Sequence, residues 1–68
     1  MLIAFLGLGL IGGSIARAVR EAGPSPVRLV AWTPSGAGPA QALADGVLDA
    51  VAASPAEAVA GADLIVLA

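Results

Sequence analysis

The sequence predicts an α/β protein, a doubly wound parallel sheet in the order β-α-β-α-β-α-β with helices on both faces. Three observations predict it. Short apolar runs recur along the chain, helical segments fall between them, and glycine or proline marks nearly every boundary. Strands that alternate with helices need crossovers, which favour parallel pairing and right-handed connections.

Each element follows from local residues. Leu2 to Leu6 is an unbroken apolar run ended by Gly7, the pattern of a strand buried on both faces. From Ile11 the period changes: Ile11, Ile15, Val19 and Ala22 fall three or four apart, while Arg17, Arg20 and Glu21 face elsewhere. Gly23 suits the position just past this helix, and Pro24 and Pro26 prevent its continuation. Val27 to Trp32 is a second strand, ended by Thr33-Pro34 and followed by the loop "TPSGAG". Ala40 to Ala44 is a short helix with Pro39 at its start and Gly46 past its end. Ala50 to Ala52 is a short strand. Next, Ser54 as cap, Pro55 in the first position and Glu57 in the third open a helix that runs to Ala60 and stops at Gly61. Leu64 to Ala68 is the last strand.

Composition narrows the function classes. The chain is 59% hydrophobic and 12% charged, with net charge −2. Its cations are Arg17, Arg20 and Arg28, which form no basic patch and argue against a nucleic-acid partner. With neither Cys nor His there is no disulfide framework and no zinc site, and the composition agrees with a cytoplasmic location. Domains of 68 residues are marginal on their own. So apolar a chain, ending in the buried-strand pattern "DLIVLA", is expected to be the N-terminal piece of a larger protein, with residues 1–68 as an incomplete half-domain.

Gly7-Leu8-Gly9-Leu10-Ile11-Gly12 matches G-x-G-x-x-G, and it follows a strand, opens a helix and lies in a βαβ unit. In that setting Gly7 permits the tight turn and Gly9 lets backbone approach a pyrophosphate. Gly12 lets the helix pack closely on the strand. The N–H groups around Leu10, Ile11 and Gly12, with the helix dipole, then hold phosphate charge without a cationic side chain. A membrane span is the rival reading. The uncharged stretch from Met1 to Ala16 is short of the roughly twenty residues a span needs, lacks a positive leader, and carries four glycines.

NAD-specific sites place Asp or Glu about twenty residues past the glycines to bind the ribose 2′-OH. Here that position is Thr33, which removes the charge that would repel a 2′-phosphate. Thr33 and Ser35 offer hydroxyl donors to such a phosphate, but the loop holds no Arg, so NADP or dual use of NADP and NAD is expected. Trp32 suits either the adenine or the core. Leu67 and Ala68, at the end of the last strand, complete the candidate cofactor contacts. Asp45, Asp49, Glu57 and Asp63 are read as solvated helix ends and loops, and no catalytic or metal-binding residue is assigned.

The longer string Gly7-Leu8-Gly9-Leu10-Ile11-Gly12-Gly13-Ser14 resembles the N-terminal fingerprint of the prephenate/arogenate dehydrogenase family, a Rossmann-type fold. The stretch Gly46 to Asp49, the capped helix and the last strand are similar to that family as well, and to other β-hydroxyacid-type dehydrogenases. The resemblance implies oxidative decarboxylation of prephenate or arogenate in tyrosine biosynthesis, with hydride passing to NAD or NADP. It implies a catalytic histidine beyond residue 68 and a helical domain, absent here, that binds substrate and forms a homodimer. Ser14 is read as a capping or pyrophosphate-side hydroxyl in the helix's first turn. Another two-domain dehydrogenase of the β-hydroxyacid or imine-reductase type, or a non-catalytic NAD(P)-sensing module, remains compatible with the same residues.

Overall fold

The computed structural model describes residues 1–23 and 27–67, and for Leu10, Ile11 and Ala37 the backbone alone. It contains β1 (Leu2–Leu6), α1 (Leu10–Ala22), β2 (Arg28–Trp32), α2 (Ala37–Ala44), β3 (Ala50–Val51), α3 (Pro55–Val59) and β4 (Leu64–Leu67). The strands form one parallel sheet in the order β3-β2-β1-β4. The expected α/β class and element order are therefore those observed. Pro24, Pro26 and Ala68 lie outside the described residues. No helix among the described residues is long and apolar enough to cross a membrane.

Register sorts the strand residues into two faces. Ile3 pairs with Leu29, and Phe5 with Ala31 and Val66. These side chains point to one face, where they pack with Ala16 and Val19 of α1, Ala42 of α2, and Val47 and Leu48. Phe5 and Leu29 are fully buried there and are the largest apolar side chains so enclosed. Period-two alternation turns Ala4, also fully buried, toward the other face. The short helix α3 packs on β1 and β2 and buries Ala58 outside the first cluster.

The helix caps follow their sequence signals. Gly23 adopts the left-handed conformation (φ 68°) and its N–H donates to the Arg20 carbonyl at 3.3 Å, closing α1. Ser54 Oγ accepts the Glu57 N–H at 3.1 Å, with Pro55 as the first residue of α3.

Several expectations change. The buried stripe of α1 runs through Gly12, Ala16 and Val19, whereas Ile15 and Ala22 are exposed. Ala16 and Val19 pack into the cluster around Phe5 and Leu29, and Ile15, one residue before Ala16, is rotated out. Arg20 does not face away: it is half-buried, with Nε donating to the Val47 carbonyl at 3.2 Å. Second, α2 begins three residues earlier than expected. Gly36 supplies the left-handed cap (φ 73°), and its N–H donates to Thr33 Oγ1 at 3.0 Å. Pro39 then falls in the first turn, where a missing N–H costs no helical bond. Strand ends shift by one residue: β2 starts at Arg28 rather than Val27, and β3 and α3 stop before Ala52 and Ala60.

The third change concerns the carboxylates. Asp45, at the end of α2, meets Gln41 at 3.0 Å and Arg17 at 3.4 Å in solvent, as a helix-end residue should. Asp49 and Asp63, exposed in the loops before β3 and β4 as expected, also bind backbone. Asp49 Oδ2 accepts the Leu29 N–H at 2.8 Å and an Arg20 N–H at 2.7 Å, and Asp63 Oδ2 accepts the Leu2 N–H at 2.7 Å. The Leu29 N–H, with the Arg20 guanidinium and the more distant Arg28 charge, holds the Asp49 carboxyl below its ordinary 3.8 against the opposing effect of burial. A lowered folded-state pKa contributes stability above the unfolded value, lost as pH falls through the folded one. Thermal midpoints are therefore expected to fall on acidification below about pH 4. Asp49→Asn should make that fall shallower; an identical slope in the variant would refute the assignment.

Candidate functional site

The chain leaves β1 for β2 on one side, and the later strand β4 lies on the other. In open parallel sheets this reversal opens a crevice beyond the carboxyl ends of the strands where it occurs, here β1 and β4, and ligands bind there. The register brings candidate residues to that edge: Leu6 lies opposite Trp32 on one side and Leu67 on the other. The Gly7 N–H donates to the Trp32 carbonyl at 2.8 Å, tying the start of the glycine turn to the end of β2.

The turn has three distinct glycine environments. Gly7 has φ 94°, which a side chain would strain. Gly9 caps α1 in an extended conformation (φ −78°, ψ −161°), which any residue adopts. A Cβ built on Gly9 meets nothing within 4 Å, so nothing in the described protein demands glycine there. Gly12 is buried.

The first ladder bond of α1 runs from the Gly13 N–H to the Gly9 carbonyl at 2.8 Å. The N–H groups of Leu10, Ile11 and Gly12 precede it and have no carbonyl one turn back within the helix. Gly9 as N-cap brings no capping side chain, and no acidic residue occupies the first turn. The result is an exposed turn with open space over Gly9 and the positive end of a helix dipole behind it. A phosphate fits that donor set.

Around the turn, Trp32 is half-buried and Leu67 is 77% exposed. Thr33 is half-buried with Oγ1 already accepting from Gly36, which leaves its O–H as a donor; Ser35 is exposed. The start of α2 lies close by, a Cβ on Gly38 coming 3.5 Å from the Leu8 carbonyl. The T-x-x-G spacing from Thr33 to Gly36, a hydroxyl accepting three residues on, is the signal that would have placed this start correctly. Ser14 is the fifth residue of α1 rather than part of its first turn, and it does not cap the helix. The cations stand elsewhere: Arg17 and Arg20 pair with Asp45 and Asp49, and Arg28 opens β2 at the opposite edge. Among the described residues no group of three His, Cys, Asp or Glu side chains could hold a metal ion.

The model of one protein family, described as NADP oxidoreductase coenzyme F420-dependent, matches residues 2–68. No curated protein and no solved structure matches the chain.

Proposed function

The chain belongs to the family of coenzyme F420-dependent NADP oxidoreductases, and from that premise we propose that its glycine turn receives the pyrophosphate of NADP. The observation that carries the reading is the open space over Gly9, set before the first three N–H groups of α1 where the strand order reverses between β1 and β4. Leu10, Ile11 and Gly12 contribute backbone donors, and Gly7 shapes the turn. Trp32 and Leu67 flank the crevice from the two neighbouring strands, and Ala68 follows Leu67 in sequence.

For the 2′-position, Thr33 presents a hydroxyl proton with Ser35 beside it, and no carboxylate stands in the first turn of α2. This supports NADP, with NAD also accepted. Titration of the chain with both cofactors, followed through Trp32, the only tryptophan, tests it. NADP is expected to bind at least as tightly as NAD, and Thr33→Asp should shift the preference toward NAD tenfold or more. Failure to bind either cofactor, or a hundredfold preference of the unaltered chain for NAD, would overturn the reading.

For the substrate, Gly12-Gly13-Ser14 and the Gly46 to Asp49 stretch support a prephenate or arogenate dehydrogenase. Residues beyond this stretch would then supply the catalytic histidine and a dimerising helical domain. The family's description supports a different hydride partner, coenzyme F420. Assaying the enzyme that contains this segment with prephenate, arogenate and F420, each against NADP, separates the two. Turnover of F420 alone would end the prephenate reading.

A further inference from the structure

The two strands that border the crevice are apolar throughout, Leu2-Ile3-Ala4-Phe5-Leu6 beside Leu64-Ile65-Val66-Leu67. In a half-buried strand, a one-residue slip would turn polar residues inward, so burial itself sets register. Here a slip exchanges one apolar residue for another, and burial does not choose. At the other edge, β3 is only two residues long and has little ladder with which to hold a register.

What marks the observed pairing is the residue before each outer strand. The Asp63 N–H donates to the Leu2 carbonyl at 2.8 Å while Asp63 Oδ2 accepts the Leu2 N–H at 2.7 Å. The Asp49 N–H donates to the Leu29 carbonyl at 2.8 Å while Asp49 Oδ2 accepts the Leu29 N–H at 2.8 Å. The same ring of two bonds on one residue thus occurs at both edges of the sheet. Successive residues of a strand aim their N–H and C=O groups to opposite sides. Arg28, next to Leu29, accordingly donates to the carbonyl of Met1, the residue before β1, instead of toward β3. A one-residue slip therefore forfeits the whole ring rather than re-forming it on the next residue.

We infer that Asp63 and Asp49 are positioning residues that set the register of the outer parallel strands, and that Asp63 thereby levels the end of β4 with the glycine turn. A slip of one residue moves a strand by about 3.3 Å. It would carry Leu67 away from Leu6, whose successor Gly7 begins the turn. The consequence for binding rests on the cofactor reading above; the register itself does not.

The test begins with the unaltered chain, in which NMR should show scalar coupling across hydrogen bonds from the Leu2 nitrogen to Asp63 Cγ and from the Leu29 nitrogen to Asp49 Cγ. Asp63→Ala should lower exchange protection of the Leu2 amide at least tenfold. It should also lose or double the Leu6–Leu67 and Ala4–Ile65 cross-strand contacts, leave the β1/β2 contacts in place, and weaken NADP at least tenfold. Asp63→Asn, which keeps an acceptor oxygen, should restore each of these. Missing couplings in the unaltered chain overturn the inference, as does an Asp63→Ala variant with unchanged register and protection. If Asp63→Ala does not fold, the native couplings and Asp63→Asn decide the matter. Couplings present in a chain that binds no NADP would uphold the register role and reject the cofactor reading.

Discussion

Replacing Gly9 with alanine is expected to weaken NADP binding about a hundredfold, a change of about 2.8 kcal/mol, while the protein stays folded. The fold tolerates the methyl group because the backbone at Gly9 is ordinary for any residue and the added Cβ touches nothing within 4 Å. Alanine is a poorer helix cap than glycine, a loss of no more than about 1 kcal/mol. On the proposed reading the cofactor would not tolerate it, because the methyl group would occupy the approach by which a phosphate reaches the N–H groups behind it. Losing one or two hydrogen bonds to a charged group, at about 1.5–3 kcal/mol each, accounts for the expected factor. Gly7→Ala provides the contrast. With φ at 94° it strains the backbone and should lower stability by about 1–2 kcal/mol before any effect on binding is read. Cofactor titration and thermal melting on both variants check this, and a Gly9→Ala chain that binds NADP normally would remove the open space over Gly9 from the argument.

Phe5→Ala is expected to abolish cooperative unfolding at room temperature. Phe5 is fully buried at the centre of the sheet, between Ala31 and Val66 in register. Truncating a buried phenylalanine costs about 3–5 kcal/mol. A chain of 68 residues has roughly 3–10 kcal/mol in all at 0.05–0.15 kcal/mol per residue. Ile15→Ala serves as the control: Ile15 lies on the outer side of α1 at 38% exposure, so its loss should stay near 0.5 kcal/mol. Circular dichroism melts of the two variants decide it. A Phe5→Ala midpoint within a few degrees of the parent would mean that the core lies elsewhere.

The Ile15 control also shows where sequence reading stops. Ile11, Ile15, Val19 and Ala22 have helical spacing, and an apolar stripe drawn through them is reasonable when the partner surface is unknown. The structure keeps Val19 but buries Gly12 and Ala16 where Ile15 and Ala22 were expected, because which side of α1 meets Phe5 and Leu29 is fixed only once the sheet is in place. Arg20, expected to face away from that stripe, reaches Val47 and Asp49, and only the placement of those residues reveals it. The α2 start was missed locally, at Thr33 and Gly36, where a hydroxyl rather than a hydrophobic period carries the signal.

The sequence by itself determined the alternation of strands and helices, the caps at Gly23 and Ser54, and the glycine turn between β1 and α1. These depend on short-range sterics and hydrogen bonds, which neighbouring residues specify completely. Tertiary structure alone decided the order β3-β2-β1-β4, the buried side of α1, and the two aspartate rings that hold the outer strands level. Strands as uniformly apolar as β1 and β4 contain no pattern that names a partner or a register, so those choices exist only once the strands lie side by side.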